Sequence, residues 1–177
     1  MNWLEQKHLA LLDGAGRRQQ PDLDKVRLCF ELLALGAAID RDCATRLGRH
    51  RLSEGKFVLL FLLLDAGDGL SPHQLAERAG GTRATITGLL DGLERDGFVV
   101  RAADPLDRRR VTVRLTAAGR ETAAMLADEH SRWIATLFAD VTAAEQQQLS
   151  RLLQRIWLRT DGGHDGQPPP ATPFSPT

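Results

Sequence analysis

One change of period constrains this chain more than any other feature. Between Ser71 and Leu115 the apolar spacing passes from 3.6 residues to 2. Ser71-Pro72 sets a helix start, an N-cap residue with Pro at the first helical position. That short helix stops at Gly80-Gly81. Thr82 caps a second helix through Ile86, Leu89, Leu90 and Leu93 to about Asp96, and Gly97 closes it. The β-branched segments Phe98–Arg101 and Val111–Leu115 then read as strands, with Asp104-Pro105-Leu106-Asp107 as the turn between them. Two short helices joined by a glycine turn, followed at once by a hairpin, make a winged helix-turn-helix.

The flanks are helical. Residues 2–13 form a short helix that Gly14 and Gly16 are expected to stop. Asp22–Leu47 keeps spacings of three and four and reads as one long amphipathic helix. Phe57–Leu64 is an unbroken run of eight apolar residues. It is far short of the ~20 needed to cross a bilayer, so it reads as a helix buried on most sides, started by Ser53. After the hairpin, Thr116 opens a helix carrying Leu126, His130, Trp133, Ile134 and Leu137. A break falls near Asp140, and Thr142 with Glu145 makes a capping box for a last helix. Residues 161–177 are rich in Gly and Pro, lack periodicity and are expected to be disordered.

The fold class is therefore mainly α with one small antiparallel β hairpin. The expected organisation is an extension helix and loop (1–21), a dimerisation helix (22–51), a winged helix-turn-helix (52–115), C-terminal dimerisation helices (116–160) and a tail (161–177).

Charge sharpens the reading. The chain has 23 Lys+Arg against 23 Asp+Glu. A net charge of zero excludes a uniformly basic nucleic-acid coat. It does not exclude a local one. The hairpin holds five Arg (Arg101, Arg108, Arg109, Arg110, Arg114) against Asp104 and Asp107, a local charge of +3. A thin basic projection suits the minor groove, whose negative potential favours Arg. The helix before it presents Thr82, Arg83, Thr85 and Thr87 near its N-terminus, where short hydroxyls and one Arg can approach base edges and phosphates. An Arg run alone is more often a solvated face, and helix–Gly–helix alone occurs in many bundles. The joint arrangement within 45 residues carries the reading.

Enzyme and metal chemistry find no support. G-x-S-x-G, P-loop and H-E-x-x-H patterns are all missing. The His and Cys residues show neither C-x-x-C nor i,i+4 His spacing, so neither a metal nor a cofactor is expected. Two Cys are too few for a disulfide scaffold, and a reduced intracellular setting is expected. Met1–Ala10 has no basic segment followed by an apolar one, so the chain is expected to be cytoplasmic, without a membrane partner.

The segment GTRATITGLLDGLERDGFVVRAADPLDRRRVTVRLTAAGRE resembles the recognition helix, wing and following helix of the multiple-antibiotic-resistance regulator (MarR) family. LSPHQLAERAG resembles that family's preceding helix. The match is specific over residues 52–121, and the helix order extends it across about 22–160. The resemblance implies a homodimer on a palindromic double-stranded operator, acting as a repressor released by a small phenolic ligand or by oxidation. It implies that Arg109, flanked by Arg108 and Arg110, enters the minor groove, that Asp107 orients a neighbouring Arg, and that Arg83, Thr85 and Thr87 face the major groove. One departure is Gly88, where many relatives carry Arg.

The apolar stripes Leu28, Leu32, Leu35 and Trp133, Leu149, Leu153, Trp157 are expected to pair between two protomers. That would set half-sites roughly 34–36 Å apart. For the switch, Leu28-Cys29-Phe30 resembles the peroxide-sensing branch of the family. That branch relies on Tyr hydroxyls, and this chain has no Tyr. A core cysteine is the expected role of Cys29, with redox sensing as the alternative. Arg46, Arg49, His50, Arg51 and Lys56 cluster in sequence where a carboxylate effector would bind, and Trp3 on the extension helix is a further candidate lining. The expected function is a ligand-released, DNA-binding repressor. The alternatives are the Cys29 sensor and a winged-helix module for protein contacts.

Overall fold

The computed structural model describes residues 3–18, 22–103 and 111–161. Along them run α1 (Trp3–Arg17), α2 (Leu23–Gly48), α3 (Glu54–Ala66), α4 (Pro72–Ala79), α5 (Arg83–Arg95), β1 (Val99–Ala103), β2 (Val111–Leu115), α6 (Ala117–Leu137) and α7 (Ala143–Trp157). The strands pair antiparallel, Val99 opposite Leu115 and Ala103 opposite Val111. This is a mainly α fold with one antiparallel hairpin. Among the described residues no helix is long and apolar enough to cross a membrane. The chain divides into two compact units, residues 1–128 and 129–177.

The first unit holds the core. Leu59, Leu60 and Leu63 of α3, Leu75 of α4, Ile86, Leu90 and Leu93 of α5, Val99 of β1 and Val113 of β2 are all fully buried. Burying side chains of this size stabilises by roughly 1.5–3 kcal/mol each before entropy is counted. α3 carries most of this because its run is apolar on several sides, although Phe61 stays half-exposed. α3 and α4 begin on serine caps, Ser53 accepting from the Lys56 amide and Ser71 from the Gln74 amide. The Gln74 side chain returns a bond to the Ser71 amide, completing a capping box. Where α6 begins, the Gly119 position lies so close to the Phe98 carbonyl that a Cβ would sit 1.9 Å from its oxygen. Only glycine allows that approach, and Thr116 fixes it by donating to Gly97 O and accepting from the Gly119 amide.

Two expectations fail in this unit. α1 does not stop at Gly14 and Gly16 but runs to Arg17. An interior glycine costs a helix only about 1 kcal/mol, and the Arg17–Asp13 ion pair one turn apart supports the last turn. His8 stacks on Phe30 of α2, ring centroids 4.5 Å apart. Cys29 is not a core residue: it is exposed. Along α2 only Leu47 is buried among the described residues, while Leu28, Leu33 and Leu35 stand half-exposed. The helix reaches the core through its C-terminal end, so position 29 gains no cover from it. Cys43, one turn from that end, packs against the core, and burial pushes its thiol up.

The second unit contains the end of α6 and all of α7. Trp133 departs from expectation: it is 4% exposed rather than part of an open stripe, with the His130 ring 5.2 Å away. Thr142 caps α7, its amide donating to the Glu145 carboxylate at 2.8 Å. Hydrogen bonds from the Thr142 side chain and backbone hold the Glu145 carboxyl below its ordinary value. α7 buries no residue, and Leu149, Leu152, Leu153 and Ile156 are exposed along it.

Candidate nucleic-acid interface

The turn between α4 and α5 is set by backbone chemistry. Gly80 takes a left-handed φ of 63°, and the Gly81 amide returns to the Ala76 carbonyl at 3.0 Å. Thr82 then caps α5. Ile86, Leu90 and Leu93 turn inward at helical spacing. Around them Thr82, Arg83, Thr85, Thr87 and Gly88 are all exposed. The structure brings the four sequence-predicted residues of this helix onto one open surface at its N-terminal end.

Their hydroxyls are partly engaged. Thr82 Oγ1 accepts from the Thr85 amide at 3.2 Å and lies 2.9 Å from Thr85 Oγ1. Thr87 Oγ1 donates back to the Arg83 carbonyl at 2.9 Å. Thr82 is thus first a cap. Thr85 and Thr87 keep lone pairs for an incoming donor, as a hydroxyl carries two. The remaining free amides at the α5 start and the Arg83 guanidinium supply the positive end that a phosphate favours.

The hairpin is tied down on both strands. On one side Leu70 pairs with Val113, amide to carbonyl at 3.0 and 2.8 Å. Gly69, at φ 94°, makes this possible: a Cβ there would lie 2.5 Å from the Val113 carbonyl oxygen. Arg114 Nε donates to the Asp68 carbonyl at 2.9 Å. On the other side Arg101 reaches α5. Its Nη1 lies 2.7 Å from the Asp91 carboxylate and 2.9 Å from that of Glu94. Its amide also donates to Glu94, and its Nη2 to the Thr87 carbonyl at 3.5 Å.

Arg101 is the residue that sequence reasoning misplaced. Counted as free wing charge, it is instead neutralised by two carboxylates of α5. Strand parity is the signal that finds it: Arg101 shares a face with buried Val99, two residues back. Asp91 and Glu94, three residues apart on α5, supply the matching pair.

The other predicted sites fare unevenly. Asp107, Arg108, Arg109 and Arg110 lie outside the described residues, as do residues 162–177. Trp3 begins α1, where its side chain is likewise not described. Lys56 does not stand free beside Arg46, Arg49 and His50: its Nζ donates to Asp96 at 2.6 Å and its stem covers Gly92, where a Cβ would meet Cε at 2.8 Å. Arg49 is exposed, while Arg46 and His50 are partly buried. No group of His, Cys, Asp and Glu fit to hold a metal ion occurs among the described residues.

Comparison with known proteins bears on this surface. The model of the MarR family matches residues 52–111, which cover α3, α4, α5, β1 and the wing. The transcriptional repressor YetL of Bacillus subtilis is 41% identical over 109 residues, covering 61% of this chain and 65% of YetL. The chain thus spans somewhat under two thirds of that relative. The homoprotocatechuate degradative operon repressor of Escherichia coli is 31% identical over 108 residues, 61% of this chain and 72% of that protein. Among solved structures, a complex of the Staphylococcus aureus regulator MepR with DNA superposes with a TM-score of 0.63. It is 21% identical and covers 72% of this chain and 93% of MepR. That likeness shows the fold.

Proposed function

Because the chain belongs to the MarR family, we propose that it is a dimeric, sequence-specific DNA-binding repressor. The observation that carries this reading is the open N-terminal face of α5. Thr85, Thr87 and Arg83 stand exposed at the helix start while Ile86, Leu90 and Leu93 are locked into the core. The helix lies in the major groove, with Arg83 on a phosphate or guanine edge and the two hydroxyls on neighbouring groups. The wing, residues 104–110, places Arg109 in the adjacent minor groove, Asp107 orients a neighbouring Arg by a bidentate pair, and Arg108 and Arg110 meet phosphates. Relatives named as repressors, and MepR solved with DNA, support this assignment.

Two copies bind one palindromic operator. The half-exposed leucines of α2 and the apolar ridge of α7 supply the dimer surfaces, since exposed stripes of this kind mark interfaces. Residues 52–115 form the DNA-binding part, and 22–51 with 116–160 the dimerising part. The protein works in the cytoplasm, beside the DNA. An effector of carboxylate or phenolic type loosens the complex near Arg46, Arg49 and His50, with Trp3 as further lining; Lys56 would have to leave Asp96 to join them.

The test is retention of the DNA upstream of the protein's own gene in a gel-shift assay. Wild type is expected to retain it, and Arg109→Ala to lose most of that affinity. Unchanged affinity in Arg109→Ala would refute the wing assignment. A thermal-shift panel of aromatic acids tests the effector: a stabilising compound is expected to release the DNA.

A further inference from the structure

We infer that Arg101 is a positioning residue for DNA binding, fastening the wing to the recognition helix through Asp91 and Glu94. The inference rests on the repressor reading above. Arg101 lies on β1, three residues before the wing, and its guanidinium bridges two carboxylates on α5 at 2.7 and 2.9 Å. Nη1 meets both carboxylates while Nη2 of the same planar group reaches the Thr87 carbonyl at 3.5 Å, so one guanidinium spans three acceptors on α5. The backbone joins in, with the Arg101 amide donating to Glu94 at 3.3 Å.

Two consequences follow for the DNA-facing surface. Arg83, Thr87 and Asp91 sit four residues apart on α5 and so share one stripe. Without Arg101 that stripe would carry an uncompensated carboxylate beside the residues that meet phosphate. Charge of the same sign repels, and Glu94 adds to it. The bridge also fixes one angle. A wing and a recognition helix contact neighbouring grooves only if their separation is set in advance, and preorganisation of that kind adds affinity without adding a contact. β2 is held separately, by the Leu70–Val113 pairing and by Arg114 on the Asp68 carbonyl. β1 is held to α5 by Val99 within the core and by Arg101 nearer the wing.

The experiment measures Kd for a duplex from the protein's own upstream DNA, with full-length wild type, Arg101→Gln, Arg109→Ala and the double variant. Circular dichroism follows helix content in parallel. Arg101→Gln is expected to keep wild-type helix content and to weaken binding by about tenfold, the scale of a coupled contact. The double variant is expected to lose less than the product of the two single losses, because part of the Arg101 effect passes through the wing contact that Arg109 makes. A purely structural role would instead give independent losses that multiply. The swap Arg101→Glu with Glu94→Arg is expected to recover affinity, and it decides the matter if Arg101→Gln does not fold. Wild-type affinity in Arg101→Gln, multiplying losses in the double variant, or a folded swap that stays weak would each overturn the inference while leaving the repressor reading intact. Failure of the wild type to bind any DNA would overturn both.

Discussion

Lys56 on α3 donates to the carboxylate of Asp96 at 2.6 Å, across a sequence separation of 40 residues. The pair closes the C-terminal end of α5 onto α3. The hydrogen bond from Lys56 holds the Asp96 carboxyl below its ordinary value. A depressed carboxyl stabilises the fold above its unfolded pKa, and the benefit is lost as pH falls through the folded value. The melting temperature of wild type should therefore exceed that of Lys56→Met at pH 7. The gap should shrink as pH drops below about 4, where carboxylates of this type protonate. A gap independent of pH would contradict this account of the pair.

The core is tested at Leu90, which is fully buried between α5 and its neighbours. Leu90→Ala should cost about 2–5 kcal/mol in chemical denaturation, from lost transfer energy plus a cavity. Val100→Ala, at a position 47% exposed on the opposite face of β1, should stay within about 0.5 kcal/mol.

Two glycines should respond with opposite sign. At Gly119 a Cβ would collide with the Phe98 carbonyl, whereas at Gly88 it meets nothing within 4 Å. Gly119→Ala should destabilise the protein, because the α6 start must move away from the hairpin. Gly88→Ala should stabilise it by about 0.5–1 kcal/mol, the helix-propensity difference alone. Thermal melts of the two variants check both.

Gly88 also leaves room at the proposed DNA surface, one residue beyond Thr87. Gly88→Arg should tighten binding to DNA and steepen the dependence of log K on log salt by about one phosphate contact. An unchanged slope would mean that this face of α5 does not approach the backbone.

The α7 ridge tests assembly. Leu149 and Leu153, 39% and 43% exposed, lie one turn apart. Changing both to Lys should shift the protein to the monomer in sedimentation equilibrium while leaving its helix content unaltered. DNA affinity should fall with it, since two half-sites would no longer be bound as a unit.

What the sequence made legible follows from where local signals dominate. The caps at Ser71, Thr82 and Thr142 and the glycines at 80 and 97 place α4, α5, α7 and β1 within a residue or so, because each acts on its own few neighbours. The outward face of α5 was readable too, as the complement of Ile86, Leu90 and Leu93. The rest depends on contacts distant in sequence. Arg101 reads in sequence as free wing charge, but its carboxylate partners, Asp91 and Glu94, sit on a different element. Lys56 looked like an available cation until Asp96 took it. Cys29 sits in an apolar triplet, which argues for burial, but α2 meets the core only near Leu47 and leaves that triplet outside. Gly14 and Gly16 look like stops, yet a cost of about 1 kcal/mol each does not end a helix already supported by neighbours.

The proposed repressor function stands on Arg83, Thr85 and Thr87 of α5 facing DNA. Its most direct measurement is a fluorescence-anisotropy titration of wild type and Arg83→Ala against the protein's own upstream duplex at several salt concentrations. Wild type should bind tightly, with an affinity that weakens steeply with log salt. Arg83→Ala should bind more weakly at every salt, with a slope reduced by about one if Arg83 meets a phosphate, or unchanged with altered base preference if it meets a guanine. Equal affinity, slope and base preference in the two proteins would contradict it.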